Sequence, residues 1–473
     1  MKDVKRRLET FSFYDRTGLE RHLAEMAQKG WLLEKIGQFL WTYRRIEPKA
    51  LTFSVCYFPK ASQFDPEPSE EQQTFYDFCA HTGWTLAAAS AQLQVFYNER
   101  EDPVPIETDP VLEVEAIHRT MKRSVLPSQL VLLALAVLNG ALYLWRLNSD
   151  PIGVLASSAN LFTGFCWLEV VVLVGVETFS YFRWHRRAAL AAERGEFFTT
   201  RSHRKLQIAA LVLLAVGMVW YILSITFSGD RMMMVTAVLM FCVYMPGLFA
   251  LVWGVKGFLK RKKVSAKVNR VVTFVSAFVA AYLIVGVIVF GVLIGSSRGW
   301  LAGQDEETYQ YKGTTFTARS DALPLTVEDL ADVSFEGYTR ECRVEESLFL
   351  AQYDATQHPR LGAEQFKDMP RLEYTVTVVK LPSLYGTCKD SLLHDRAERW
   401  NRDMPESEWY SYEPSDPAPW GAEEAYRWTR RGEYGPRNTF LLCYPDRFVE
   451  ITLNHDWTIT PAQMKLVGER LGG

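Results

Sequence analysis

The sequence predicts an α-helical multi-pass membrane protein of about five transmembrane helices, with an N-terminal α+β cytoplasmic domain and a C-terminal α+β extracytoplasmic domain. Three observations predict it. Along the 473 residues, positions 1–122 carry 15 Lys+Arg against 19 Asp+Glu, positions 123–295 carry 17 against 6, and positions 296–473 carry 20 against 30. The basic middle third contains five apolar stretches near the roughly 20 residues, at ~1.5 Å rise each, that cross a hydrocarbon layer. The residues before it contain an internal repeat, a sign of duplicated architecture. The net charge of −3 hides this partition. It excludes a soluble globule, a disordered chain and a basic nucleic-acid binder.

The repeat lies within residues 1–122. Thr17-Gly-Leu-Glu20 has the pattern of a capping box, and Leu19, Leu23, Met26 and Ala27 fall on one helical face before Gly30 ends the helix. A strand from Trp31, a second with Phe39, Trp41 and Tyr43 on alternate positions, and a third with Phe53, Val55 and Tyr57 follow. Ser69 and Gln72 open a second helix through Phe75, Phe78 and Cys79, which stops at Gly83-Trp84 before Leu86, Ala88 and then Leu93, Val95 and Tyr97. Helix, Gly-Trp, strand, strand thus recurs 53 residues on. Glycine suits the left-handed position that closes each helix. The aromatics Trp31, Trp41, Trp84, Tyr43 and Tyr57 admit a ligand-stacking box, but their alternation favours a core between a helical layer and a small sheet.

FYDRTGLERHLAEMAQKGW, WTYRRIEP, FSVCYFPKASQFDPEPSEEQQTFYDFC and FYNEREDPVPIETDP resemble the bacterial family called domain of unknown function 2812, over about residues 8–122. The resemblance implies a cytoplasmic α+β module attached to a membrane segment in Gram-positive membrane proteins, often near transcriptional regulators. It implies no activity and carries over no catalytic residue.

Asp109 and Pro110 suit the N-cap and first turn of a further helix. Val111, Val114, Ile117 and Met121 make a narrow apolar stripe that leads into the first span. Such a helix either transmits movement of that span to the inner module or lies in the interface as an anchor. The expected spans are 125–147, 152–182, 206–227, 233–255 and 271–294. Lys and Arg accumulate on the cytoplasmic side of short loops. Segments 183–205 and 256–270 hold fourteen of them, whereas 148–151 and 228–232 hold only Arg231. This places a plasma-membrane protein with its N-terminus inside and its C-terminus outside. The first 30 residues are charged and lack a continuous apolar run, so no cleavable signal peptide is expected.

In residues 296–473, strands are expected at 374–380, 425–429, 439–443 and 448–453, and a closing helix capped by Thr460 with Gln463. The tract from Trp409 through Tyr410 and Tyr412 to Trp420 is rich in proline and is expected to be a loop. Its aromatics either recognise an external ligand or wrap against their own sheet. Cys342, Cys388 and Cys443 lie outside, so at most one internal disulfide is expected, with one thiol left over.

No constellation for catalysis emerges: HExxH, P-loop, dinucleotide and GxSxG patterns are absent. The chain is therefore expected to be no enzyme and to need no cofactor or metal. Glu115 and His118 have the spacing of a di-iron ligand pair but lack the second pair such a site requires. His394-Asp395 and His455-Asp456 are isolated dipeptides. The distinctive polar feature is inside the membrane: Glu169 near the middle of the second span and Glu177 about two turns toward the cytoplasm, where an ionised side chain costs roughly 2.5 to 3.5 kcal/mol. Glu169 is expected to be protonated or hydrogen-bonded to Asn139 or Tyr244. It acts either as a clamp between helices or in a proton- or cation-linked step of transport or signalling. The leading expectation is a sensor that relays an envelope condition to a cytosolic regulatory protein bound at residues 1–122. A transporter or permease accessory using Glu169 is the alternative.

Overall fold

The computed structural model describes residues 3–37, 40–200, 203–227, 231–297, 306–331, 337–362, 369–432, 435–454 and 457–473. The chain divides into two compact units. One comprises Met1–Asn139, Cys166–Val216 and Ala237–Phe290; the other comprises Gly140–Phe165, Gly217–Thr236 and Gly291–Gly473.

In the first unit the duplication is complete in three dimensions. β1 (Val4–Leu8), α1 (Arg16–Gln28), β2 (Trp31–Lys35) and β3 (Leu40–Arg45) form one copy; β4 (Thr52–Tyr57), α2 (Glu70–His81), β5 (Thr85–Ser90) and β6 (Leu93–Asn98) form the other. Each copy builds an antiparallel sheet with the same order, β1-β3-β2 and β4-β6-β5. Even the register shift repeats, between Leu33 and Lys35 in one copy and Leu86 and Ala88 in the other. The expectation that Phe53, Val55 and Tyr57 form the third strand of the first copy is corrected: β4 pairs with β6 and opens the second copy. The corresponding strand of the first copy is β1, whose charged VKRRL gives no apolar alternation.

The second sheet is buried on both faces. Phe53, Val55, Tyr57 and Val95 join the core around α1, while Cys56 and Phe96 meet Cys79 and Trp84 beneath α2. Trp41, Tyr43, Tyr57 and Trp84 are buried, and Trp31 lies under Lys5 and Arg45. These aromatics are core, not a stacking box. Ser69 and Gln72 form the expected reciprocal cap. The first cap is displaced: Asp15 accepts from the Gly18 amide, and the Thr17 hydroxyl accepts from the Thr200 amide.

Gly30 and Gly83 close the two helices at φ of +78° and +89°. A Cβ on Gly30 would stand 2.9 Å from the Ile46 carbonyl oxygen, whereas on Gly83 the nearest atom is side-chain nitrogen at 3.4 Å. Gly30→Ala is therefore expected to cost more than the ~1–2 kcal/mol of left-handed strain alone, and Gly83→Ala about that amount. Thermal melts of the two variants check this; equal losses would show that the Ile46 contact relaxes freely.

Among the described residues, five helices are long and apolar enough to cross a membrane. The first runs through α3 (Pro110–Thr120), a π turn (Met121–Val125) and α4 (Leu126–Ser149); α5 (Pro151–Ala156) follows, then α6 (Ser158–Ala192) and α7 (Arg204–Phe227). α8 (Arg231–Leu239) continues through a second π turn (Met240–Tyr244) into α9 (Met245–Arg261), and α10 (Ala266–Ser297) is last. Each π turn lies just before a proline, Pro127 or Pro246. Proline lacks an amide donor and crowds the preceding turn, and the wider turn absorbs both defects. Asp109 caps α3 as expected. The expected second span, 152–182, is corrected: Ser157 leaves helical geometry, and Ile152, Val154 and Ala156 form a separate buried helix that only mimics span composition.

In the second unit, β7 (Glu306–Tyr311) and β8 (Thr314–Arg319) form a hairpin, followed by α11 (Val327–Leu330), β9 (Tyr338–Glu346), β10 (Leu350–Pro359), β11 (Leu372–Val379), α12 (Tyr385–Asp390) and α13 (Arg396–Asn401). β12 (Tyr410–Ser415), β13 (Glu424–Arg430), β14 (Gly435–Cys443), β15 (Arg447–Leu453) and α14 (Pro461–Leu471) complete it. Seven strands make one antiparallel sheet ordered β12-β13-β14-β15-β11-β10-β9. Leu442, Val449, Ile451 and Leu453 pack one face against Val467 and Leu471 of α14 and Val327 and Leu330 of α11. On the other face Leu441, Cys443 and Phe448 meet Cys388 of α12 and Ile152 and Ala156 of α5. All three cysteines of this domain are free.

Candidate functional site

The polar residues singled out in the spans do not come together. Asn139 turns its amide onto the Leu135 carbonyl of its own helix, 2.8 Å away. Glu169 has a buried carboxylate oxygen with no hydrogen-bond partner among the described residues, so neither Asn139 nor Tyr244 satisfies it. Glu177 accepts a 2.9 Å hydrogen bond from the Ser12 hydroxyl, which ties α6 to the N-terminal module. The Glu115 and His118 pair also separates. Glu115 bonds Arg119, while His118 shares a 2.7 Å hydrogen bond with the Tyr181 hydroxyl and stacks on His185 at 3.9 Å. His394 bonds its own helix, and His455-Asp456 lies outside the described residues.

The expected recognition loop is corrected as well. Tyr410–Ser415 is the edge strand β12. Tyr410 stacks on Trp428 at 5.4 Å, Tyr412 meets the same ring edge-on, and Trp409 donates to the Met404 carbonyl. Trp420 is only 2% exposed. Proline at position 414 is tolerated because an edge strand leaves one row of backbone groups unpaired.

Two polar constellations are built instead. The first joins the N-terminal module to the membrane helices. Glu9, with a fully buried side chain, is met by His22 at 3.0 Å, Arg204 of α7 at 3.0 Å and Arg7 at 3.3 Å, and accepts from the Tyr43 hydroxyl at 3.2 Å. Tyr14 packs against Tyr181 and Trp184 of α6. On the neighbouring side Arg16 stands among Glu20 at 2.9 Å, Glu107 at 3.2 Å and Glu113 of α3. One guanidinium cannot neutralise three carboxylates. Burial pushes the Glu107 carboxyl up to about 7, with Arg16 opposing and Glu113 and Glu20 adding to the rise.

A carboxyl raised in this way stabilises the fold while protonated. That contribution is complete below the ordinary carboxylate value of about 4.3 and is lost as pH climbs through the folded value. Glu107→Gln is therefore expected to flatten the fall in stability between about pH 5 and pH 8 and to be the more stable protein at the upper end. Thermal melts at the two pH values check this; parallel behaviour of variant and parent would remove the assignment.

The second constellation is an open cleft of about 1010 Å³ in the C-terminal unit. Sheet register lines up Arg343, Asp354, Thr375 and Glu450 as one row across β9, β10, β11 and β15. Arg396 of α13 pairs with Glu450 at the end of that row, Arg343 holds Glu345 at 2.5 Å, and the Thr375 hydroxyl donates to Asp354 at 2.6 Å. Further lining comes from Arg146 at the end of α4, Asp150 before α5, Ser157 after it and Asn160 in the first turn of α6. Arg399 and the 56% exposed Trp400 complete the lining from α13. The β9–β10 turn is fastened beside it, since the Ser158 hydroxyl donates to the Glu346 carbonyl and the Ser347 hydroxyl to that of Leu155. The alternation of polar residues along β11 and β15 was visible in the sequence. Their alignment with β9, β10 and α13 was not, because register joins positions more than a hundred residues apart.

Residues 17–128 match the family model described as Protein of unknown function (DUF2812). No curated protein and no solved structure matches the chain.

Proposed function

We propose that this chain is a plasma-membrane sensor and relay, not an enzyme. In this reading its cleft-bearing C-terminal domain lies outside the cell, and its duplicated N-terminal module meets a cytosolic regulatory protein. The observation that carries the reading concerns α6. Its first residue, Ser158, is bonded to the β9–β10 turn beside the cleft, and its later residues Glu177, Tyr181 and Trp184 hold the module through Ser12 and Tyr14. One continuous helix thus carries attachments to both domains, and a ligand that shifts its start changes the strain on its far contacts. An odd number of crossings and the fourteen cations in segments 183–205 and 256–270 support the sidedness. The transporter alternative retains one supporting observation, the unpartnered oxygen of Glu169.

The test uses the full-length chain in cells. Reporters fused at either end should be active in opposite compartments, and an N-terminal reporter active outside overturns the reading. A photo-crosslinker at the exposed Leu40 should capture one regulatory protein, with a yield that changes when Glu177→Gln loosens the Ser12 contact. A yield indifferent to that substitution would separate α6 from signalling. Loss of a proton-driven phenotype in Glu169→Gln, with capture unchanged, would favour transport.

A further inference from the structure

We propose that the cleft of the C-terminal domain is a saccharide-binding site; this rests on the sensor reading above and names the chemical class of its signal. Eleven of the twenty lining residues are Arg, Asp, Glu, Asn or Gln, whose planar groups form paired, directional hydrogen bonds. Four arginines face five carboxylates, so neither sign dominates. Two of the four arginines are already closed on carboxylates, Arg396 on Glu450 and Arg343 on Glu345, and Asp354 accepts from the Thr375 hydroxyl. Arg146 and Arg399 remain for a phosphate or other anion, but five carboxylates share the same walls and repel it, and a zwitterion held at Arg343 or Arg396 would have to break the existing pairs.

A sugar hydroxyl both donates and accepts. It therefore bridges the remaining lone pairs and N–H groups of a closed guanidinium–carboxylate pair without separating it. A lipid tail would need an apolar lining, and among the described lining residues Ile152 and Leu392 are the only aliphatic ones of size. No group of three or more metal-ligating side chains occurs among the described residues, which leaves the lining carboxylates without the convergence a cation would need.

Trp400 supplies the complementary apolar surface. It is 56% exposed, held edge-on by Tyr410 at 5.9 Å, and borders the cleft, where the C–H face of a pyranose ring covers an indole. The volume of about 1010 Å³ stands at the upper limit for small-molecule pockets, which run to roughly 1,000 Å³. That favours a ligand of more than one ring. Such a ligand is either a soluble oligosaccharide or the headgroup of a glycolipid, and the test separates the two.

Full-length protein in phosphatidylcholine nanodiscs is titrated by calorimetry with maltopentaose, cellopentaose and the pentamer of N-acetylglucosamine. A parallel set of discs carries a diglucosyl diacylglycerol, and protection of the cleft from arginine-directed modification is read. Saturable binding in either arm, weakened about tenfold by Trp400→Ala and by Glu373→Gln, is the expected result. Binding only in the glycolipid discs assigns the lipid-linked source. Absence of binding in both arms overturns the proposal, as does binding that neither substitution weakens. Inorganic phosphate or a dipeptide binding where no saccharide does also overturns it. A failure here leaves the reporter and crosslinking results for the relay untouched, so the two readings fall separately.

Discussion

Replacing Glu9 with alanine is expected to destabilise the N-terminal module by about 3–5 kcal/mol, the cost of breaking a buried ionic cluster from one side. The side chain is fully buried, and its loss removes the carboxylate that Arg204, Arg7 and His22 share and the acceptor of the Tyr43 hydroxyl. Against a typical domain stability of about 5–15 kcal/mol, that is a large share. Glu9→Gln should fall between, since an amide still bonds Tyr43 and His22. The exposed Arg6→Ala should stay within about 0.5 kcal/mol of the parent.

The pH dependence has a definite sign. Burial of Glu9 opposes its ionisation, but the His22 hydrogen bond and the nearby Arg7 and Arg204 guanidinium groups outweigh it, so the carboxyl is held below its ordinary value. A depressed carboxyl contributes stability that is present above the ordinary value and is lost as pH falls through the folded one. The parent should therefore lose its advantage over Glu9→Gln only in acid, below about pH 4. Proteolysis of the full-length protein in detergent, followed on the N-terminal fragment, checks both statements. A Glu9→Ala protein as resistant as Arg6→Ala would show that water replaces the carboxylate without loss.

Trp420→Ala is expected to cost the C-terminal domain about 3–5 kcal/mol, the range for removing a buried large aromatic. The indole packs on Phe440 at 5.0 Å, its backbone carbonyl accepts from the Tyr444 hydroxyl, and α14 approaches so closely that a Cβ on Gly468 would stand 2.0 Å from that carbonyl oxygen. Removing the ring opens the floor on which α14 rests. Trp400→Ala should change stability by less than about 0.5 kcal/mol, because its ring stands mostly in solvent. Unfolding monitored on the C-terminal domain distinguishes the two tryptophans. Equal effects would mean that Trp420 is not part of the core.

Which parts of this molecule were legible in advance follows from the range of the interactions involved. The second-copy cap of Ser69 with Gln72, the Asp109 cap and the Thr460 cap with Gln463 were readable because a cap is settled within four residues. α1 starts two residues before the Thr17 pattern, because Asp15 caps the Gly18 amide and Thr17 falls inside the first turn. β1 was invisible because Lys5, Arg6 and Arg7 interrupt its apolar residues, its exposed positions include Val4 and Leu8, and its partner β3 lies beyond α1 and β2. The 152–156 segment resembles part of a span in sequence because burial in a protein core and burial in lipid select the same side chains.

The sequence by itself determined the five apolar helices, the duplication of helix, Gly-Trp and paired strands, and the two acidic ends around a basic middle. Composition and periodicity suffice for these, since each residue's preference for lipid, turn or strand acts locally and adds along the chain. Only the tertiary structure decided that Glu9 is neutralised by Arg204, that Glu177 answers Ser12, and that Arg343, Asp354, Thr375 and Glu450 share one row. Those groups are distant in the chain, and polar groups acquire a role from the partner that meets them after burial, which no local pattern encodes.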